Sequence, residues 1–368
     1  MPMSAMPPFR ADMVGSLLRT APLKEARARR QAGEISAEAL RRVEDAEIGK
    51  IIARQEAAGL QSATDGEFRR AWWHFDFLEG LQGVEGYETA QGIQFQGTQT
   101  KPRSVRVMGK LGFTNHPMLD HFRFLAANTK LLAKMTIPSP SVLHFRGGRH
   151  AISAAVYPEM ESYFADLAET YRKVVQAFAA AGCRYLQLDD TVWAYLCSEE
   201  QRAQVRARGE DPDKLPAVYA RMINHAIADR PADMRITMHI CRGNFRSTWI
   251  SEGGYEPVAE TLFGSVGVDG FFLEYDTERA GGFEPLRFVK PGSQRIVLGL
   301  VTSKSGVLEK PDDIRRRIDE AARHVAMDQL CLSPQCGFAS TEEGNLLAEE
   351  EQWAKLAMIV ETARKVWG

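Results

Sequence analysis

The chain has 368 residues, with 46 Lys and Arg against 48 Asp and Glu, a formal net charge of -2 and 44% hydrophobic residues. That balance offers no basic face for a nucleic acid and no electrostatic draw to an anionic membrane. No uncharged apolar run reaches the roughly 18 residues that span a bilayer, and Met1–Phe9 lacks the basic-then-apolar order of a secretion signal, so a cytoplasmic location is expected.

Short apolar or β-branched runs closed by turn residues recur along the chain. They predict strands near Asp12–Gly15, Gln61–Asp65, Ala133–Ile137, Tyr185–Asp189, Arg235–His239, Gly270–Glu274, Ile296–Val301 and Gln329–Ser333. Helical stretches lie between them. Over Glu161–Ala181, Phe164, Leu167, Tyr171, Val174, Val175 and Phe178 recur at spacings of three and four, and Gly182 follows as a C-cap. Pro311–Met327 and Glu342–Val366 are further predicted helices. Eight strand–helix alternations imply a single (β/α)8 TIM barrel over residues 1–368. Two stretches break the alternation: Gly83–Gly109, read as a β-hairpin excursion, and the charged Cys197–Leu215, read as a helical insertion.

The predicted strands end in polar groups: Gly15–Ser16, Asp65–Glu67, Ser139, Asp189–Asp190, His239 and Cys241, Glu274, Thr302–Lys304 and Cys336. A barrel gathers such ends at one face, where its active sites lie. In extended chain residues i and i+2 point the same way, so His239 and Cys241 can reach one ion, and imidazole with thiolate favours zinc. Cys336 offers a second thiolate and Glu274 a fourth ligand. The plainer readings are a buried Cys beside a satisfied His, and a salt-bridged Glu274. Of the five cysteines, Cys183, Cys197 and Cys331 are read as buried packing residues, and the odd number argues against a disulfide framework.

Six stretches in order, Val14-Gly15-Ser16, Asp65-Gly66-Glu67, Gln187-Leu188-Asp189-Asp190, His239-Ile240-Cys241, Leu273-Glu274 and Ser333-Pro334-Gln335-Cys336-Gly337, resemble the cobalamin-independent methionine synthases. The likeness is to short members that carry only the catalytic barrel. It implies a Zn2+ held by His239, Cys241, Glu274 and Cys336, and a homocysteine-like thiol anchored by Gly15, Ser16, Glu67 and Asp189. The plainer alternatives are a turn residue for Ser16 and a salt bridge to Arg69 or Arg70 for Glu67. The implied partners are that thiol and a methyl donor; a homo-oligomer is compatible with the sequence.

The donor side departs from the resemblance. The family presents a Trp after strand three that stacks on the pterin of methyltetrahydrofolate; here the stretch is Ser139–Phe145, leaving His144 and Phe145 as donor-side candidates. The family's acidic His after strand seven is replaced by Lys304, which joins Asp189 as a catalytic candidate. Trp72 and Trp73 read as loop packing or as a wall over the donor. A transferase of the epoxyalkane:coenzyme M type is the first alternative, disfavoured because Glu67 and Asp189 suit an ammonium better than a sulfonate. A non-catalytic zinc barrel is the second, disfavoured because ligands spread over three strands do not form a closed knuckle.

Triglutamyl methyltetrahydrofolate is therefore expected to be a poor donor. A tertiary amine must be protonated to leave, and a positioned general acid contributes roughly 10²–10⁴-fold. Methionine formation from homocysteine, compared among methylfolate, methylcobalamin and S-methylmethionine, checks this; turnover of the folate at the rate of the best donor refutes it.

Overall fold

Runs such as Ile296–Val301 and Phe271–Leu273 are apolar at consecutive positions, so both faces of each strand need cover. The computed structural model, which describes residues 6–292 and 294–368, supplies it with a strongly curled parallel sheet and surrounding helices. Residues 1–5 of the segment weighed above as a secretion signal lie outside the described residues.

The strands are β1 (Ser62–Ala63), β2 (Gln82–Glu88), β3 (Gln94–Phe95), β4 (Thr98–Gln99), β5 (Arg103–Gly112), β6 (Leu132–Pro138), β7 (Tyr185–Asp190), β8 (Arg235–Ile240), β9 (Gly270–Glu274), β10 (Arg295–Val301) and β11 (Leu330–Pro334). Seven of them pair in the order β1-β6-β7-β8-β9-β10-β11. The first predicted strand, Asp12–Gly15, is reduced to one parallel bridge between Ala11 and Leu332. The reason is local: the Asp12 carboxylate accepts from the amides of Phe9 and Met13, which bends the segment away from a regular ladder. The segment still closes the ring. Its other side meets β1 and the turn that follows through Thr64 Oγ1, which donates to Gly15 O at 2.6 Å, and Leu17 N, which donates to Gly66 O at 3.1 Å.

The long helix runs Met160–Ala180 and buries Leu167, Tyr171, Val174, Val175 and Phe178. Gly182 ends it at φ 96°, donating to Ala179 O, while Cys183 N reaches Phe178 O. Phe164, expected on the same face, is only half-buried. The last two helices are shorter than predicted. Pro311–Ala321 stops where its buried face ends, and Glu349–Trp367 begins late because Asn345 is drawn into a loop, donating to Ser303 O. The excursion is a β2–β5 antiparallel pair carrying the small β3–β4 hairpin at its tip. The insertion contains one helix, Glu199–Ala207, ahead of Leu215–Ile227.

At the floor of the barrel, Lys134 and Asp12 are fully buried and 3.2 Å apart. Tyr185 donates to the other Asp12 oxygen at 2.7 Å, and the Lys134 ammonium sits 4.1 Å above the Phe272 ring centroid. Removing one partner leaves the other charge buried and unpaired, at a cost of about 3–5 kcal/mol. Asp12→Ala should lower the urea-unfolding midpoint accordingly, and Asp12→Ala with Lys134→Met should recover most of the loss. A single variant as stable as the parent would show that the pair does not hold the floor together.

Candidate metal centre

Strand register brings the chemistry-bearing residues to one level. Asp189 on β7 pairs with His239 on β8, and His239 pairs with Phe272 on β9. Register partners in a parallel sheet face the same way, so Asp189 and His239 both turn to the mouth. Two residues on, Cys241 stands beside Glu274, the last residue of β9. Cys336 comes in from the turn after β11. The ligand atoms of His239, Cys241, Glu274 and Cys336 all lie within 4.8 Å of one another, and all four residues are buried.

Their remaining partners leave the donor atoms available. The two sulfurs are 3.5 Å apart. The hydrogen bond with Cys241 holds Cys336 well below the ordinary thiol range, while Cys241 is pushed well above it by the same contact and by burial. Neither ring nitrogen of His239 has a nitrogen or oxygen partner. Glu274 Oε1 accepts from Arg242 N at 2.7 Å, and Oε2, without a hydrogen bond, lies 3.8 Å from the Arg279 guanidinium, the salt bridge of the plainer reading. Burial raises the Glu274 carboxyl, opposed first by the nearby Lys304 charge. Two sulfurs, an imidazole and a carboxylate converging in a dry site fit a zinc ion.

Above this group opens a narrow inner pocket lined by Val14, Ser16, Glu67, Asp189, His239 and Cys336, among others. Gly15 precedes Ser16 where the chain crowds β6: a Cβ there would lie 2.7 Å from Thr136 Cγ2. Ser16 is fixed through Phe338 N, which donates to Ser16 O, and it packs so closely on Gly337 that a Cβ there would lie 1.9 Å from Ser16 Oγ. Glu67 adopts φ 59°, an unusual conformation for a residue with a side chain, stabilised by its amide donating to Asp65 Oδ1. Its Oε1 accepts from Thr136 Oγ1 at 2.9 Å and lies 3.6 Å from Arg70, while Oε2 is buried without a partner. Burial pushes both Glu67 and Asp189 up, Asp189 to about 7, against the opposing charges of Arg70 and His239 respectively. Glu67 thus has Arg70 as its cation with one oxygen left open, and Asp189 forms no ion pair among the described residues.

The other expected positions divide. Asp190 turns into the wall, accepting from Val192 N at 2.5 Å and capping the short helix Val192–Tyr195. His144 faces away from the pocket: its Nδ1 meets Tyr219 Oη at 2.7 Å and its Nε2 lies 2.9 Å from Glu210. Phe145 lines instead a larger outer cleft of about 540 Å³. Lys304 lies beside the four-donor group, its Nζ buried with no hydrogen bond, and its charge acts on Glu274, Cys241 and Cys336. Trp72, Trp73 and His74 line the inner pocket, so the pair both packs and forms wall; Trp72 is buried 5.1 Å from Phe75.

Several lining residues were not singled out in the sequence. Thr191 directly follows Asp190 at a strand end, a position that carried a usable signal, and Tyr195 ends the short helix Val192–Tyr195 after it. Arg146 follows Phe145 in the same way. Ile93 and Phe95 come from the hairpin excursion, and with Arg146 and Tyr195 they border both the inner pocket and the outer cleft. Nothing in their local sequence links them to the barrel mouth.

Comparison with known proteins agrees with this architecture. YxjH of Bacillus subtilis is 58% identical over 363 residues, covering 98% of this chain and 95% of the relative. The methionine synthase of Pyrococcus furiosus is 24% identical over 342 residues, covering 92% and 86%. A Listeria monocytogenes crystal structure superposes with a TM-score of 0.80 at 48% identity, covering 99% of each chain. The family described as "Cobalamin-independent synthase, Catalytic domain" matches residues 9–365, and the chain belongs to that family.

Proposed function

We propose that this protein is a zinc-dependent methyltransferase that passes a methyl group to the sulfur of homocysteine, giving methionine. The observation that carries the reading is the buried His239, Cys241, Glu274 and Cys336 group beneath a pocket walled by two carboxylates. The name of the Pyrococcus relative, a methionine synthase, supports the same reaction. When bound, zinc keeps a coordinated thiol ionised at neutral pH, where a free thiol with pKa about 8.5 is mostly protonated.

The chain's own residues supply the rest. Glu67, through its open Oε2, and Asp189 take the ammonium group of the acceptor amino acid, and Ser16 takes its carboxylate through its amide and hydroxyl. Held at both ends, the thiol sulfur points to the four-donor group. The sulfur then attacks the methyl carbon in line; the new carbon–sulfur bond forms as the bond to the leaving group breaks. Asp189, on the strand beside His239, keeps substrate and metal-side ligands in register. Lys304 offsets the negative charge of two sulfurs and Glu274, and it is the nearest candidate proton source for a leaving group that needs one. The donor itself, whether methylfolate, methylcobalamin or another, is left open by this assignment.

Purified protein should carry about one zinc per chain, as the four-ligand count requires. His239→Ala and Cys336→Ala should each lose the metal and the activity while circular dichroism keeps its native form. Full zinc occupancy in both variants would overturn the ligand assignment.

Asp189→Asn should leave zinc content unchanged and raise the homocysteine KM about tenfold or more, since a charged hydrogen bond is worth on the order of 1.5–3 kcal/mol. Unaltered homocysteine kinetics would remove Asp189 as an anchor.

A further inference from the structure

We infer that Arg146 recognises an oxyanion, a carboxylate or phosphate, carried by the methyl donor; this rests on reading the outer cleft as the donor's side of the site. Arg146 follows the short helix Pro140–Phe145 at the end of β6 and lines both the inner pocket and the outer cleft. The other two arginines on the cleft wall are spoken for. Arg103 is paired with Glu79, and Arg208 with Glu210. Among the described residues Arg146 makes no ion pair, and Glu200, the carboxylate on the cleft wall, makes none with it. Its guanidinium instead lies over the Tyr195 ring, 5.9 Å from the centroid.

The surroundings of Arg146 carry a second, independent sign. His74 is fully buried, held between Trp73 and Phe75 at ring distances of 4.4 and 3.9 Å, and neither of its nitrogens has a hydrogen bond. Burial, with the Arg146 charge nearby, keeps its ring neutral, so one N–H remains to donate. Thr191 and Tyr195 are each 3% exposed. Their hydroxyls reach no partner at full hydrogen-bond geometry and face only each other and Arg146. All four residues line the inner pocket. Arg146 Nε, both His74 nitrogens and the Thr191 and Tyr195 hydroxyls are buried there with no partner at full hydrogen-bond geometry, and buried polar groups are rarely left so. An oxyanion satisfies them together, and a guanidinium fork matches its geometry. A hydrocarbon group would satisfy none of them, and a cation would repel the guanidinium and leave the imidazole N–H unpaired. The pocket's own carboxylates do not fill the role: Glu67 meets Thr136 and Arg70, and Asp189 accepts from Gln187.

The test uses three probes of one shape, benzoate, phenyl phosphate and neutral benzamide, titrated into the purified full-length chain by ligand-observed NMR. At least one of the two anions should bind about tenfold or more tightly than benzamide, and the stronger of the two identifies carboxylate or phosphate as the group recognised. Arg146→Gln should erase that preference, Arg146→Lys should keep part of it, and Tyr195→Phe should weaken it less. Equal binding of all three probes by the parent, or an anion preference unchanged in Arg146→Gln, would overturn the assignment. The measurement needs no turnover, so a protein that fails to methylate homocysteine yet keeps the Arg146-dependent preference would refute the reaction and leave the subsite standing.

Discussion

Two thiols and a carboxylate buried within 4.8 Å of one another and of an imidazole are unfavourable company unless a cation joins them. In the chain alone, burial and the neighbouring negative groups push Cys241 and Glu274 up from their ordinary ranges. Lys304 relieves part of it from the side. The rest of the mouth is arranged around this concentration of negative charge: Arg242 is wholly buried over the Tyr255 ring at 4.6 Å, and Tyr255 in turn fixes the Glu274 backbone through its hydroxyl. A protein can keep such a group only where strand register and tight turns hold it in place.

The holding is done by backbone. Pairing of Asp189 with His239 and of His239 with Phe272 sets the level of three strands at once, and Cys241 N donates to Asp190 O at 2.7 Å to extend that level past the strand end. Ser16 and Gly337 lock the first and last strand ends together at a distance that excludes any side chain at 337. The result is a site whose precision comes from elements that also bury the core, which is the arrangement that tolerates the least drift in geometry.

Much of this was readable in the sequence because it depends on short-range rules. The i, i+2 relation of His239 and Cys241, the apolar run ending in Glu274, and the strand positions all follow from a period of two and from turn residues. What escaped reading depends on side chains from distant segments. The Asp12 carboxylate spends itself on Phe9 and Met13 and dissolves a predicted strand. His144 looked available at a strand end, yet Tyr219 and Glu210, both from beyond β7, draw its ring away. The contribution of Ile93, Phe95 and Arg146 appears only when the hairpin and the barrel are set side by side, since no local pattern encodes their meeting.

The hairpin excursion is set apart from the barrel sheet in its strand pairing. Its strands, β2 to β5, pair among themselves and form no ladder with the barrel sheet. The β2–β5 pair packs into the main core through Val84, Val105 and Val107, and the tip is held over the mouth by ties that include Gln96 N donating to Trp249 O at 3.0 Å and the Phe95 and Phe245 rings 5.4 Å apart. The tip that brings Ile93 and Phe95 to the outer cleft therefore lies outside the ladder that positions His239, Cys241, Glu274 and Cys336. Over evolutionary time, or in the laboratory, the length and composition of that tip can be rewritten to reshape the cleft while the register beneath it is inherited unchanged.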